Sequence, residues 1–155
     1  MEENQYLSFV CGTEVFAIEI LHIKEIKEYA TITSIPMMPP SVQGVINLRG
    51  NVVPIIDLNL RIGREKTSIS KRTCIIIVEV EYQEERLDLG LLVDSVSEVV
   101  EIPMTEIEKA PSFGSNIRND FIRSIGKIAG KFIIILDMEK VLSVDELSVI
   151  NTNVA

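Results

Sequence analysis

The sequence predicts an all-β fold built from two small five-stranded barrels with a few short helical turns. Three observations carry that prediction. Apolar runs of strand length recur along the whole chain, turn residues separate them, and the second half of the chain repeats the pattern of the first.

Taken in order, YLSFVC and VFAIEI are joined by a tight turn at residues 12–14, GTE, as a hairpin. KEIKEY follows, and Pro36, Pro39 and Pro40 then impose a loop over residues 31–44. GVINLR and NVVPIIDL form the next hairpin, turned at Gly50. Pro54 has no N–H to donate, which predicts an edge or a bulge. Residues 63–72, GREKTSISKR, are polar and predict a flexible connector. Beyond it TCIIIVEV and RLDLGLLVD are joined through residues 81–86, and SEVVEI, FIRSIGKIA and KFIIIL complete about ten strands. CIIIV and FIIIL lack polar alternation, so both faces of those strands are expected to be covered, one by their own barrel and one by the neighbouring copy. Met138, Val141 and Leu142 are spaced helically, and Ser143 with Glu146 has the form of a capping box for a last short helix.

The repeat is legible residue by residue. FAIEILHIKEI, residues 16–26, falls on LGLLVDSVSEV, residues 89–99, and matches Phe16 with Leu89, Ile18 with Leu91, Ile20 with Val93, Ile23 with Val96 and Ile26 with Val99. INLRGNVVPIIDLNLRI falls on GKIAGKFIIILDMEKVL, so that Leu48 meets Ile128, Gly50 meets Gly130 and Asp57 meets Asp137. Each copy is too small to bury much apolar surface alone, so the two, about 1–68 and 69–155, are expected to share a core within one domain.

Composition narrows the function. The 155 residues carry a formal charge of −8, which disfavours phosphate backbones and acidic membranes as partners and leaves proteins. The start, MEENQYLSF, is unlike a secretory signal, and no apolar run approaches the roughly 20 residues of a membrane span, so a cytoplasmic protein with no direct membrane insertion is expected. Cys11 and Cys74 lie far apart in strand-like segments and are expected in the core. His22 is the only histidine and meets Ser95 in the second copy, which favours a surface or packing role over general-base chemistry. Asp57, Asp94 and Asp137 each close an apolar strand before a turn or helix, the place of a cap. No phosphate loop is present, and no catalytic residue, metal site or cofactor is predicted. The alternative is a small β-barrel that binds nucleic acid through Arg61, Arg64, Lys66, Lys71 and Arg72, but 5% aromatic content and the lack of tryptophan leave few stacking platforms.

Arg49 stands out because the repeat does not need it. Its counterpart is Ala129, while the glycine that follows is kept in both copies. Strand alternation sends Ile46 and Leu48 to the barrel, and Asn47 and Arg49 to the outside. Glu25, on a strand of the same copy, is the natural partner for an ion pair, yet its counterpart Glu98 has no matching arginine. A structural pair and a fork held ready for a partner are compatible roles.

GVINLRGNVVPIIDLNLRIG, LGLLVDSVSEVVEI and GKIAGKFIIILDMEKVL together resemble the CheW family of bacterial chemotaxis coupling proteins over nearly the whole chain. NLRG followed by VPIIDL is the most specific part; Ser124 departs from the family, where glycine is common, and that departure bears on a local bulge. The resemblance implies two intertwined five-stranded SH3-like β-barrels with short helices, and a non-catalytic adaptor that is a monomer when isolated. It implies as partners the cytoplasmic hairpin tip of methyl-accepting chemoreceptors and the regulatory domain of a CheA-like histidine kinase, which recruit the adaptor to membrane-associated arrays. The receptor groove so implied is lined by Ile20, Ile23, Ile26, Val96 and Val99, with Glu25 and Arg49 nearby. The kinase-contact residues are not identified by it. The same module occurs fused to the kinase or to a receiver domain; a chain spanning only the two copies is expected to be a standalone coupler.

Overall fold

The computed structural model describes residues 5–109 and 119–143. Its strands are β1 (Gln5–Cys11), β2 (Glu14–Glu19), β3 (Ile23–Glu28), β4 (Val42–Leu48), β5 (Asn51–Asp57), β6 (Cys74–Tyr82), β7 (Glu85–Val93), β8 (Ser95–Glu101), β9 (Ile107–Glu108), β10 (Ile122–Ile128) and β11 (Lys131–Leu136). Two single-turn helices, α1 (Leu58–Arg61) and α2 (Met138–Val141), follow β5 and β11. The two-residue β9 is the strand missing from the sequence reading; its counterpart in the first copy is only an isolated bridge, Thr33 to Val45.

One sheet runs β8-β1-β2-β11-β10-β9 and the other β3-β6-β7-β5-β4. Neither belongs to one half of the chain. The β1–β2 hairpin of the first copy lies among strands of the second, and the β6–β7 hairpin of the second lies among strands of the first. The joins match: β2 lies parallel to β11 with Ala17 opposite Ile135, and β7 lies parallel to β5 with Gly90 opposite Ile55. The exchange is therefore reciprocal, and the copies are related by a pseudo-twofold.

Side-chain alternation divides the core accordingly. In β6, Ile75 and Ile77 fill the interior of their own barrel, while Ile76 and Val78 turn to a cluster shared by both sheets. Equivalent positions behave alike: Ile55 and Ile135 are interior in their respective barrels, whereas Ile56 and Leu136, Leu58 and Met138, Ile62 and Leu142 are all shared. Among the described residues the shared cluster holds 19 buried side chains against 7 and 5 in the interiors, so each barrel depends on its neighbour for most of its apolar burial.

Several local expectations are corrected. Pro54 lies neither on an edge strand nor at a bulge: β5 is flanked by β4 and β7, and the parallel ladder to β7 begins only at Ile55, so the missing N–H falls where the two strands have already parted. Cys74 is only partly buried, whereas Cys11 is core. The connector is pinned through the buried Thr67, whose N–H and hydroxyl both donate to Asp57 at 2.9 and 2.7 Å. Asp57 also caps α1, as Asp137 caps α2, but Asp94 instead accepts the Gly12 N–H at 2.6 Å and so ties the β1–β2 turn to the end of β7. The bulge in question at Ser124 is present, matched by one at Gly44 in the first copy. Glu146 and the last short helix lie outside the described residues.

Candidate functional site

The groove residues predicted on strands fall on two edge strands, β3 from the first copy in one sheet and β8 from the second copy in the other. Both pair with the first strand of an exchanged hairpin, and both pairings are interrupted at the same place. On β8, Val96 lies opposite Phe9 and Val99 opposite Leu7, with a register shift between them; on β3, Ile23 lies opposite Val78 and Ile26 opposite Ile76, with the same shift. Directly paired residues share a face of a sheet. Phe9, Leu7, Val78 and Ile76 all belong to the shared core, so Ile23, Ile26, Val96 and Val99 all turn toward the seam between the sheets.

The bulges make this possible. In an unbroken strand residues three apart point to opposite faces; one extra residue restores the phase, so both members of each pair face the same way. Within each pair the inner residue packs on the shared core and the outer reaches solvent. Ile23 and Val96 are partly buried against that core, while Ile26 is 44% and Val99 56% exposed. Ile20, on the 3-10 turn Ile20–His22 that carries the chain from β2 to β3, also packs against the shared core. Its neighbour Leu21, absent from the sequence reading, is an almost fully exposed large aliphatic. The signal for it lay in the repeat, where an apolar Leu21 stands against the charged Asp94.

Arg49 is placed differently from its strand-based expectation. It is the first central residue of the β4–β5 turn, with φ +51°, followed by Gly50 at +87°; Ala129 and Gly130 repeat the pattern at +51° and +79°. Positive φ at both central positions is the type I′ hairpin geometry, which sets the side chain outside strand alternation. Asn47 Oδ1 accepts the Gly50 N–H at 2.8 Å and supports the turn. From there Arg49 reaches across to β3, where its Nη2 lies 2.8 Å and its Nη1 3.5 Å from the two carboxylate oxygens of Glu25. Glu25 lies opposite Ile77, an interior residue, so it stands on the other face of β3 from Ile23 and Ile26. The hydrogen bond from Arg49 holds the Glu25 carboxyl below its ordinary pKa of 4.5. The arginine side chain itself is 71% exposed.

The remaining candidates are held by local contacts. His22 lies 3.5 Å from Glu19, which Arg123 also engages at 2.8 Å, so the histidine sits in a surface ion cluster. Of the basic residues considered for nucleic acid, Arg61 donates to the carbonyls of Val141 and Lys140 and stacks over Phe121, and Arg64 pairs with Glu14 and donates to the Cys11 carbonyl. Both arginines are thus committed to internal contacts. No group of three or more His, Cys, Asp or Glu positioned to hold a metal ion occurs among the described residues.

Fold and site together define an adaptor-type module: two reciprocal barrels around one shared core, with matched aliphatic strips on their edge strands. A CheW-like domain model matches residues 5–146, and the chain belongs to that family. It is 33% identical to the chemotaxis protein CheW of Klebsiella aerogenes over 98% of this chain and 89% of that protein, and 35% identical to CheW of Helicobacter pylori over 93% and 84%. The crystal structure of the scaffolding protein TtCheW from Thermoanaerobacter tengcongensis superposes with a TM-score of 0.78 at 35% identity, covering 88% of this chain and 90% of that one. The barrels are SH3-like, and the protein is a member of a family of chemotaxis scaffolds and not an enzyme. No helix among the described residues is long and apolar enough to cross a membrane.

Proposed function

We propose that this protein couples chemoreceptors to a CheA-like histidine kinase: one helix of the receptor's cytoplasmic hairpin tip lies in the seam between the barrels, and the kinase's regulatory domain binds elsewhere on the same molecule. The observation that carries the reading is the matched pair of bulges, which turns Ile23, Ile26, Val96 and Val99 to one seam and leaves the outer residue of each pair exposed. Aliphatics in that arrangement suit a helix with apolar residues at i, i+3, i+4 and i+7. The protein works in the cytoplasm and reaches the membrane through its partners. Its isolated form is a monomer, with one seam for one helix, and it needs no cofactor.

Titration calorimetry with a receptor hairpin-tip fragment and, separately, with the kinase regulatory domain tests this. Both bind the unaltered protein. Ile26→Glu and Val99→Glu, at exposed positions, weaken the receptor fragment by about tenfold or more, since burying an unpaired carboxylate in an interface costs more than about 1.4 kcal/mol, and leave thermal unfolding in place. Binding of neither partner refutes the coupling role. The nucleic-acid alternative loses ground because Arg61 and Arg64 are spent on internal contacts.

A further inference from the structure

Resting on that docking reading, we infer that Arg61 and Arg64 are positioning residues: they lock the two barrels at one mutual angle and so fix the width of the seam, acting through the fold and not through contact with the partner. The seam is bounded by β3 of one sheet and β8 of the other, so any rotation of barrel against barrel moves Ile26 relative to Val99. The shared core does not set that angle by itself. Apolar burial is non-directional, and among the described residues no ladder of strand hydrogen bonds joins the two sheets.

Both arginines start from the side of β5, Arg61 at the end of α1 and Arg64 just beyond it, and both end on elements of the other barrel. Arg61 Nε donates to the Val141 carbonyl at 2.6 Å and Nη2 to the Lys140 carbonyl at 3.2 Å, in the last turn of α2, and its guanidinium lies 4.8 Å from the centre of the Phe121 ring. Arg64 Nη1 donates to the Cys11 carbonyl at 3.1 Å and Nη2 pairs with Glu14, while the guanidinium lies 5.7 Å from the centre of the Phe16 ring. It thus grips both strands of the β1–β2 hairpin. A planar fork of fixed donors is directional where the core is not.

The two grips complement each other in position. Val141 is the counterpart of Arg61 in the repeat, so their contact lies at the pseudo-twofold axis. Alone, it leaves the barrels free to pivot about it. Cys11 and Glu14 are not counterparts of Arg64, so the second grip lies off the axis and stops the pivot. Asp94 also holds the hairpin turn, but from the crossover between β7 and β8, where the chain itself passes from one sheet to the other. Neither copy needs the arginines for its own fold, since their counterparts are Val141 and Val144. They serve the joint between the copies.

Residual dipolar couplings of the backbone amides test this in the full chain. In the unaltered protein the couplings of both sheets fit one alignment tensor. In Arg61→Met/Arg64→Met, which keeps the apolar stems and removes the donors, the two sheets require differently oriented tensors. A receptor hairpin-tip fragment then binds about threefold more weakly or worse by calorimetry, the reciprocal of the fraction of molecules that still present a seam of the right width. A loss of stability alone lowers the melting temperature without parting the tensors. One tensor for both sheets of the double variant overturns the inference, and so do two tensors in the unaltered protein, or parted tensors with unchanged affinity. Should the double variant not fold, Arg64→Met alone decides: parted tensors are expected, because only the contact at the axis remains, and a shared tensor overturns the inference. Failure of the unaltered protein to bind the fragment refutes the docking reading, whereas the couplings need no partner and still decide whether the arginines set the angle.

Discussion

Replacing Asp57 by alanine and, in a second protein, Asp137 by alanine compares two equivalent residues of the repeat with unequal workloads. Asp137 is partly exposed and among the described residues accepts the N–H groups of Glu139 and Lys140, so its loss costs about 1 kcal/mol, the usual value of a helix cap. Asp57 is fully buried and accepts the N–H groups of Asn59 and Leu60 and, in addition, the N–H and hydroxyl of the buried Thr67. Stranding those two extra donors adds about 1–3 kcal/mol each, which brings Asp57→Ala to about 3–5 kcal/mol, the hydroxyl being able to turn toward another acceptor. With a urea slope of about 2 kcal/mol per M, the midpoint falls by about 2 M for Asp57→Ala and about 0.5 M for Asp137→Ala. Equal shifts in the two variants would refute the claim that Asp57 anchors the connector as well as a helix.

Further outcomes follow from the same geometry. Gly44 has φ +145°, and a Cβ there would lie 2.0 Å from the Thr33 carbonyl oxygen, whereas Gly50, at +87°, has open space around it. Gly44→Ala therefore costs about 3 kcal/mol or more and Gly50→Ala about 1 kcal/mol, readable in the same denaturation series. The Glu25 carboxyl titrates below 4.5 because Arg49 binds its ionised form; that contribution to stability is present above pH 4.5 and disappears as the pH falls through the depressed value. Carbon-detected NMR of Glu25 in Arg49→Ala then shows its midpoint restored to the ordinary range, and an unmoved midpoint contradicts the pairing. Burial pushes the Cys11 thiol up from 9.0 to about 12, so the folded state keeps its proton where the unfolded chain loses it. Its contribution is complete below pH 9 and fades between about 9 and 12, and a thiol reagent at pH 8 labels Cys74 readily but Cys11 only on unfolding.

Much of this was legible in the sequence because a repeat multiplies weak signals. Asp57 and Asp137, or Gly50 and Gly130, each say little alone, but coincidence at one spacing exposes a duplicated unit, and runs such as CIIIV expose strands covered on both faces. The resemblance implied intertwined barrels, but the repeat itself did not show the exchange of hairpins, since β1–β2 pairs locally in either arrangement and only the contacts of β2 with β11 and of β7 with β5 distinguish them. The candidate residues could be named from the sequence, but the way they face could not. Strict alternation puts Ile23 and Ile26 on opposite faces, and only the register shift beside Glu25 brings them together. Arg49 was misdirected for a related reason: a turn with positive φ ends the alternation one residue before it.

The exchanged hairpins also constrain how the chain can be made. Emerging from the ribosome, β3, β4 and β5 wait for β6 and β7 before their sheet can close, and β1 with β2, at the start of the first copy, waits for β10 and β11 at the far end of the second. Folding is thus deferred until both copies have been synthesised. A nascent chain stalled midway exposes aliphatic strands to aggregation or to a chaperone, and severing the polypeptide between the two copies yields pieces that lack their sheet partners and regain them only by finding each other.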